Sequence, residues 1–319
     1  MSAVSQKESF LISLVVPMYN EQEVLPAFFE RVRGVMNGLG KDYEIICVND
    51  GSSDATLVDL VKARQEWPQV KVISLSRNFG KELALTAGLE HASGDVVIPI
   101  DADLQDPPEI IPDMLREWEN GFEVVLAVRK DRSVDSFAKR NSARWFYSVM
   151  ERMGEIPIPP NAGDFRLMDR KVVDSLARIK ERARFMKGLF AWVGYKTTVI
   201  EFVREKRVAG ESAWKYWKLW NFALEGIVSF SSLPLKVWSY VGVFTSLISL
   251  IYMFIIIGRT LLFGIDVPGY ASLLVVILFF SGLNLICLGV IGEYLGRIFI
   301  EVKQRPLYLI SETHGLDPE

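Results

Sequence analysis

The sequence predicts an α/β fold in which a mainly parallel sheet is flanked by helices. Between residues 11 and 129, short β-rich runs alternate with stretches that are long enough for helices. The β-rich runs are almost continuously apolar, which is typical of strands buried on both faces of a parallel sheet. Two long uncharged runs nearer the C-terminus predict, in addition, helices that cross a membrane.

Five segments are predicted to be strands and four to be the helices between them. The strands are Leu11–Tyr19, Tyr43–Asp50, Val70–Arg77, Asp95–Ala102 and Glu123–Arg129. The helices lie near residues 21–38, 53–65, 81–92 and 108–120. The run from Asn49 to Asp54, NDGSSD, combines turn formers with N-cap residues and indicates a tight connection into the second helix.

The two uncharged runs are Val237–Gly258 and Val267–Gly292. At a rise of about 1.5 Å per residue, each is long enough to cross a hydrocarbon core of roughly 30 Å. The short link between them contains one basic residue, Arg259, whereas several basic residues flank the pair: Lys236, Arg297, Lys303 and Arg305. Because basic residues favour the cytoplasmic side, we predict a transmembrane hairpin with both termini in the cytoplasm. The N-terminal residues show no signal-peptide pattern.

Composition excludes several classes of function. The chain has 319 residues, with 36 Lys and Arg against 39 Asp and Glu, so it lacks the basic field of a non-specific nucleic-acid-binding protein. Two cysteines and two histidines exclude a disulfide scaffold and a zinc site built from Cys and His. They also leave no Ser-His or Cys-His nucleophile pair, so acid–base chemistry must depend on carboxylates.

Polar residues follow the predicted strands where they end. They are Asn20 with Glu21, Asn49 with Asp50, Arg77 with Asn78, and the set Asp101, Asp103, Gln105 and Asp106. In open parallel sheets, ligands bind outside these carboxyl ends, so the clusters predict a binding site there. Neither a GxGxxG after the first strand nor a GxxxxGK[ST] occurs, which argues against a Rossmann dinucleotide site and a P-loop.

Asp101, Asp103 and Gln105 directly follow a buried strand. If the extended geometry continues, these alternate residues point the same way and present three oxygen ligands together. Oxygen ligands suit Mg²⁺ or Mn²⁺, whose coordination shells substrate phosphates can complete. The sequence therefore predicts a divalent metal site.

Six motifs carry a family resemblance. They are VVPMYNE (15–21), VNDGSSD (48–54), SLSRNFGKELALTAGLEHASGD (74–95), DADLQDPPE (101–109), GDFRLMDR (163–170) and RVAGESAW (207–214). Together they resemble the family 2 glycosyltransferases of the type-A fold, in particular polyisoprenyl-phosphate glycosyltransferases related to dolichol-phosphate mannose synthase. With the C-terminal hairpin added, the chain is most similar to the GtrB-type bactoprenol glucosyltransferases.

The resemblance implies roles for residues of the donor site. Pro17, Tyr19 and Glu21 would line the nucleoside, Asp50 would accept a hydrogen bond from the base, and Ala102 would lie beside them. Asp101 and Asp103, with Gln105, would hold the metal on the donor diphosphate.

A second group of residues would serve the acceptor and the transfer itself. Asp164 matches the acidic residue that the family uses as catalytic base. Its alternatives are to orient the acceptor, to stabilise charge on the sugar, or to form a salt bridge with Arg166. Candidates for contacts with phosphate or acceptor are Arg129, Arg140, Arg207, Ser212 and Lys215. The family pattern has a lysine where this chain has Ala213, and Lys215 could supply the contact instead.

The implied reaction is inverting transfer of a single sugar, glucose from UDP-glucose, to undecaprenyl phosphate on the cytoplasmic face of a bacterial plasma membrane. The alternatives are a GDP-mannose-dependent mannose synthase and a non-catalytic membrane protein that senses nucleotide. The implied partners are the nucleotide sugar, the polyisoprenyl phosphate lipid, the membrane, a small membrane flippase and further copies of the chain.

Four parts are predicted along the chain. Residues 1–206 form the cytoplasmic catalytic domain and 207–235 form juxtamembrane interfacial helices. Residues 236–297 form the transmembrane pair, with helices at about 237–262 and 268–294, and 298–319 form a cytoplasmic tail. The interfacial part is predicted because Trp and Lys residues are interleaved just before the first apolar run. An ordinary packed helix is the alternative for that part.

Overall fold

The computed structural model of the chain describes residues 9–130, 162–182, 184, 186–203, 233–263 and 269–316. Within these ranges, eight strands form one sheet in the order β7-β5-β6-β4-β1-β2-β3-β8. The strands are β1 (Leu11–Met18), β2 (Asp42–Asn49), β3 (Val70–Leu75), β4 (Val96–Pro99), β5 (Val124–Arg129), β6 (Ala162–Asp169), β7 (Thr197–Phe202) and β8 (Ile310–His314). The α/β fold with a mainly parallel sheet is as predicted.

Helices cover both faces of this sheet. They are α1 (Leu25–Leu39), α2 (Thr56–Glu66), α3 (Lys81–His91), α4 (Ile111–Glu119), α5 (Arg170–Ala177), α6 (Met186–Trp192), α7 (Leu233–Phe263) and α8 (Tyr270–Lys303). One core cluster contains buried residues of α1, α2 and α4, and the other contains those of α3, α5 and α6. The part of the molecule around the sheet therefore has three layers, with the sheet in the middle.

The parallel strands in the middle of the sheet end at a common edge. Strand β1 pairs with β2, with Met18 opposite Asn49, and with β4, with Val15 opposite Pro99. All three strands are almost completely buried, which explains their continuous apolar sequences. The segments that follow them thus leave the sheet side by side.

Three strands, β6, β7 and β8, were not predicted from the sequence. Strand β6 is antiparallel to both β4 and β5 and carries Asp164, Arg166 and Asp169, so it lacks the continuous apolar run of a central strand. Strand β7 lies at one edge and alternates between exposed and partly buried residues, and β8 lies at the other edge and is mostly exposed. Edge strands and charged strands give a weak apolar signal.

The C-terminal segment returns to the sheet. Strand β8 pairs antiparallel with β3. At the end of α8, Glu301 Oε1 accepts a hydrogen bond from Arg182 N at 2.6 Å, and Tyr308 donates a 2.5 Å hydrogen bond to Glu90 Oε2. The segment predicted as a cytoplasmic tail thus contributes a strand to the sheet.

Helices α7 and α8 have 31 and 34 residues. Counting only the residues that the structure describes, no helix offers a stretch that is both long and apolar enough to span a membrane, so the predicted transmembrane hairpin is not confirmed. The predicted interfacial helices at 207–235 lie almost entirely outside the described residues.

Gly88 of α3 packs directly on the sheet, and replacing it tests this packing. A Cβ atom there would overlap Val15 Cγ1 of β1 and approach Val48 Cγ2 of β2. We expect Gly88→Ala to lower the free energy of unfolding by about 1–3 kcal/mol because the overpacked core must shift. Gly34→Ala on α1 is the matched control, since a Cβ there meets no atom within 4 Å. It should be neutral or stabilising by up to about 1 kcal/mol. Denaturant unfolding measures both, and equal effects would contradict the packing.

Candidate active site

A cavity of about 700 Å³ opens at the carboxyl ends of the parallel strands. Within the described residues, the cavity is lined by all ten side chains to which the resemblance gives a role: Pro17, Tyr19, Glu21, Asp50, Asp101, Ala102, Asp103, Gln105, Arg129 and Asp164. Of the other polar residues predicted at this edge, Asn78 lines it as well, whereas Asn20, Asn49 and Arg77 do not. Lys81, Glu82 and Asp106 also line it. The structure therefore brings the predicted residues of β1, β2, β4, β5 and β6 to one place.

Four residues predicted for the acceptor lie outside the described residues. They are Arg140, Arg207, Ser212 and Lys215. Their assignment to phosphate or acceptor contacts stays a prediction.

Asp50 organises the loop that leads into α3. Its Oδ1 accepts a 2.7 Å hydrogen bond from Phe79 N, and its Oδ2 accepts a 2.9 Å bond from Gly80 N. The next residue, Gly51, has a φ of +65°, and a Cβ there would overlap the backbone of Arg77. Burial raises the pKa of Asp50, and the two backbone hydrogen bonds partly oppose that shift. Asp50 thereby fixes the start of α3 at the edge of the cavity.

The residues from Asp101 to Gln105 form a turn. Strand β4 already ends at Pro99, and Leu104 has a left-handed φ of +56°. Asp103 Oδ1 accepts a 3.1 Å hydrogen bond from Gln105 N, which closes the turn. The metal prediction assumed that the backbone stays extended from Asp101 to Gln105. The backbone turns instead, so this assumption was wrong. The three side chains nevertheless line the same cavity, because the turn wraps around it.

Lys81 occupies the middle of the acidic cavity. Its Nζ lies 2.7 Å from Asp101 Oδ1 and 2.7 Å from Asp164 Oδ2, and it thereby joins the turn after β4 to strand β6. Burial alone would lower the pKa of Lys81, but the two carboxylates raise it well above its ordinary value. Sequence analysis missed this residue. The signal available was its position, as the first residue of a helix that begins at the ligand-binding edge.

Asp106 and Arg129 form a second charged pair in the cavity. Arg129 Nη2 lies 3.7 Å from Asp106 Oδ1. Burial raises the pKa of Asp106 to about 6, and the nearby Asp101 carboxylate acts in the same direction, whereas Arg129 opposes it. Arg129 Nε is buried and has no hydrogen-bond partner among the described residues. Arg129 therefore has a donor available for an anionic ligand.

Arg166 supports the backbone of β6 next to Asp164. Its Nη2 donates a 2.6 Å hydrogen bond to the carbonyl of Gly163, and its Nε donates a longer one to the carbonyl of Asp164. The guanidinium lies 3.9 Å from the ring centroid of Phe190. Burial lowers the pKa of Arg166 to about 10. The sequence left open a salt bridge between Asp164 and Arg166. In the structure, Asp164 pairs with Lys81, and Arg166 donates hydrogen bonds to backbone carbonyls.

Comparison with known proteins shows the family. Residues 13–177 match the family described as "Glycosyl transferase family 2". The chain is 57% identical over 306 residues to an uncharacterized glycosyltransferase of Synechocystis sp., with 96% of each chain covered. It is 52% identical over 307 residues to the SfII prophage-derived bactoprenol glucosyl transferase of Shigella flexneri, with coverage of 96% of this chain and 99% of the relative.

The chain therefore belongs to glycosyltransferase family 2, as its motifs predicted, and is an enzyme. Among solved structures, it is similar to a mannosyltransferase of Pyrobaculum calidifontis in complex with GDP-Man and Mn²⁺. That likeness has a TM-score of 0.46 and 16% sequence identity, and it covers 68% of this chain and 61% of the other.

Replacing Asp50 tests its role in ordering the site. In Asp50→Asn, the side-chain oxygen can accept from one of the two backbone N–H groups, but the amide NH₂ faces the other. We expect the free energy of unfolding to fall by about 1–3 kcal/mol, because a buried donor loses its partner. The control is Asp59→Asn, whose carboxylate is 38% exposed and pairs with Lys62; it should change stability by less than about 0.5 kcal/mol. Denaturant unfolding at pH 7.5 measures both, and equal effects would refute the assignment.

Proposed function

We propose that this enzyme transfers glucose from UDP-glucose to undecaprenyl phosphate, with inversion at the anomeric carbon. The observation that carries the proposal is the cavity, in which the described donor-site residues and Asp164 lie together. Its support beyond the family is the 52% identity to bactoprenol glucosyl transferases over nearly the whole chain. UDP-glucose as donor rests on the resemblance of the motifs.

The cavity is suited to bind a nucleotide diphosphate sugar. Tyr19 is 46% exposed at its mouth and offers a ring against which a base can stack. Arg129 lies at the end of β5, three strands away from β1 in the sheet, and its Nε has no partner among the described residues, so it offers a cationic contact for phosphate. We assign Pro17, Tyr19 and Glu21 to the nucleoside on this basis.

The donor atoms around the turn fit a divalent cation. Among the residues described, no three His, Cys, Asp or Glu side chains are grouped so as to hold a metal ion by themselves. Mg²⁺, however, is commonly bound through one or two carboxylates, with substrate phosphates completing its shell. Asp101 and Asp103 supply those carboxylates, and Gln105 supplies an amide oxygen. When bound, such an ion would neutralise charge that develops on the leaving diphosphate.

The reaction exchanges one bond at the sugar for another. The bond from the anomeric carbon to the diphosphate oxygen breaks, and a lipid phosphate oxygen bonds to that carbon from the opposite face, releasing UDP. A phosphate monoester has a second pKa near about 6, so its attacking oxygen is already largely ionised at neutral pH. Asp164 then acts by orienting the acceptor and stabilising the positive charge that develops on the sugar.

We also propose that α7 and α8 place the enzyme in the bacterial plasma membrane, with the catalytic domain in the cytoplasm. Helix α7 contains the first uncharged run of the sequence, and α8 contains residues 270–292 of the second. Large apolar side chains such as Phe254 and Phe279 are 63% exposed on them, which is unfavourable in water and favourable in lipid. Such an arrangement would hold the active site near a lipid-linked acceptor.

A donor panel tests the proposed reaction. Purified full-length enzyme is incubated with undecaprenyl phosphate and radiolabelled UDP-glucose or GDP-mannose, with Mg²⁺, Mn²⁺ or excess chelator, and the lipid product is resolved by thin-layer chromatography. We expect label in the lipid fraction from UDP-glucose and loss of that product in chelator. Product from GDP-mannose alone would establish the mannose synthase, and no product from any donor would favour the nucleotide sensor.

Asp164→Asn separates orientation of the acceptor from general-base catalysis. The variant should reduce kcat by about a hundredfold or more while leaving the Kd for UDP nearly unchanged, because the residue serves acceptor and sugar. The rate should still rise near pH 6 in the slow variant, as the lipid phosphate ionises. Kinetics across pH, together with UDP titration, measure both. A Kd for UDP weakened as severely as kcat would contradict this role and place Asp164 in the donor site.

A further inference from the structure

The ammonium group of Lys81 contacts both Asp101 and Asp164, two carboxylates that have different roles in the proposed function. Asp101 is assigned to the metal and Asp164 to the acceptor, yet Lys81 Nζ contacts both at 2.7 Å. Asp101 binds it through both oxygens, since Oδ2 is also 2.8 Å away. In this geometry neither carboxylate is ready for its task, because both share the same lysine as their ion-pair partner.

The crowding of negative charge explains why a cation is held there. Asp103 and Asp106 line the same cavity as Asp101 and Asp164, and they are only 8% and 4% exposed. Like charges in so small a volume repel strongly where water is scarce. A positive charge between them therefore reduces the repulsion in the empty site.

The position of Lys81 allows its ammonium group to leave the two carboxylates. It is the first residue of α3, and its side chain is 45% exposed along its length. A lysine has a flexible four-carbon stem and a compact charge that can bind carboxylate or phosphate equally well. A diphosphate in the cavity would thus offer Lys81 a new partner without any movement of the helix.

We infer that Lys81 is a positioning residue that changes partners when the donor binds. In the enzyme without ligands, its ammonium group supplies the positive charge that the metal supplies later. When metal and donor bind together, the ammonium group moves from Asp101 to the donor diphosphate. This inference rests on the proposed function of the site. The divalent cation takes over Asp101, and Asp164 is released towards the acceptor only once the donor is in place. Lys81 thereby makes the active form of Asp164 depend on donor binding.

The exchange predicts that metal and nucleotide bind cooperatively. A metal ion that binds without UDP must displace the Lys81 ammonium group from Asp101, and the ammonium group then loses that partner. The metal ion alone therefore binds weakly. With UDP present, the displaced ammonium gains the diphosphate, so each ligand strengthens the other by the same factor. A lysine that only stabilised the fold would contribute nothing to this coupling.

The test is the affinity for Mn²⁺ with and without UDP, which requires no turnover. Free Mn²⁺ is measured by electron paramagnetic resonance during titration of the full-length protein. In Lys81→Met, Mn²⁺ alone should bind about tenfold more tightly, since the competing cation is gone. The strengthening of Mn²⁺ binding by UDP should shrink by a similar factor. Lys81→Arg keeps the charge and should retain weak binding of Mn²⁺ alone.

Lys171→Met is the matched control, because Lys171 also pairs with a carboxylate, Glu123 at 2.7 Å, but outside the cavity. It should leave both Mn²⁺ affinities unchanged. Lys81→Gln is a second neutral variant, and thermal unfolding checks that each variant is folded.

Unchanged or weaker binding of Mn²⁺ alone in folded Lys81→Met or Lys81→Gln would overturn the inference. So would unfolding of both neutral variants while Lys81→Arg folds, because that result gives Lys81 a structural role. The proposed function fails in a different way: wild-type enzyme would bind neither UDP nor UDP-glucose, or the donor panel would give no lipid product from UDP-glucose. A wild-type enzyme that binds and transfers, combined with unaltered Mn²⁺ binding in the variants, would refute the role of Lys81 alone.

Discussion

Strand β4 ends and the antiparallel strand β6 begins at the same edge of the sheet, and this brings acidic residues together. The resulting repulsion is the constraint on which the site depends. Asp101 follows β4 and Asp164 lies in β6, and these strands are neighbours in the sheet. Lys81 offsets the repulsion from the start of α3. Asp50 in turn fixes that helix start through its bonds to the backbone of residues 79 and 80. The chain of contacts therefore runs from β2, through the loop and the lysine, to the two carboxylates.

The parts of the fold that could be predicted are those with a strong apolar signal. Strands β1 to β5 are buried and continuous, and the predicted bounds differ from the observed ones by a few residues at most. The convergence of Asp50, Asp101 and Asp103 on one cavity also followed from a general rule, since ligand sites lie at the carboxyl ends of parallel strands. Family motifs then supplied Asp164, which lies on a strand that the apolar pattern did not reveal.

The rest depends on contacts between distant parts of the chain. Lys81 and Asp164 are 83 positions apart, and a single lysine at a helix start gives no local sign of the ion pairs it forms. Strand β8 pairs with β3 across more than two hundred residues, and its sequence is mostly polar because it is an edge strand. The turn at Leu104 was missed for a local reason, since a left-handed φ is uncommon for a leucine.

Strand β8 also changes how the two long helices are related to catalysis. Glu301 near the end of α8 bonds to Arg182, and the chain after α8 returns to the sheet and bonds to Glu90 through Tyr308. The end of α8 is therefore attached to the catalytic domain at several points. A protein truncated before α7 would lose an edge strand as well as the helices. Experiments on the helices therefore need variants that keep residues 304–316.

An experimental structure of the full-length enzyme with UDP and Mn²⁺ bound would test directly whether donor and metal replace Lys81 as the partner of Asp101. We expect Mn²⁺ to be bound by Asp101 and the diphosphate, with Lys81 Nζ on a phosphate oxygen and beyond hydrogen-bonding distance of Asp101. A structure in which UDP is bound while Lys81 still bridges Asp101 and Asp164 would contradict this exchange.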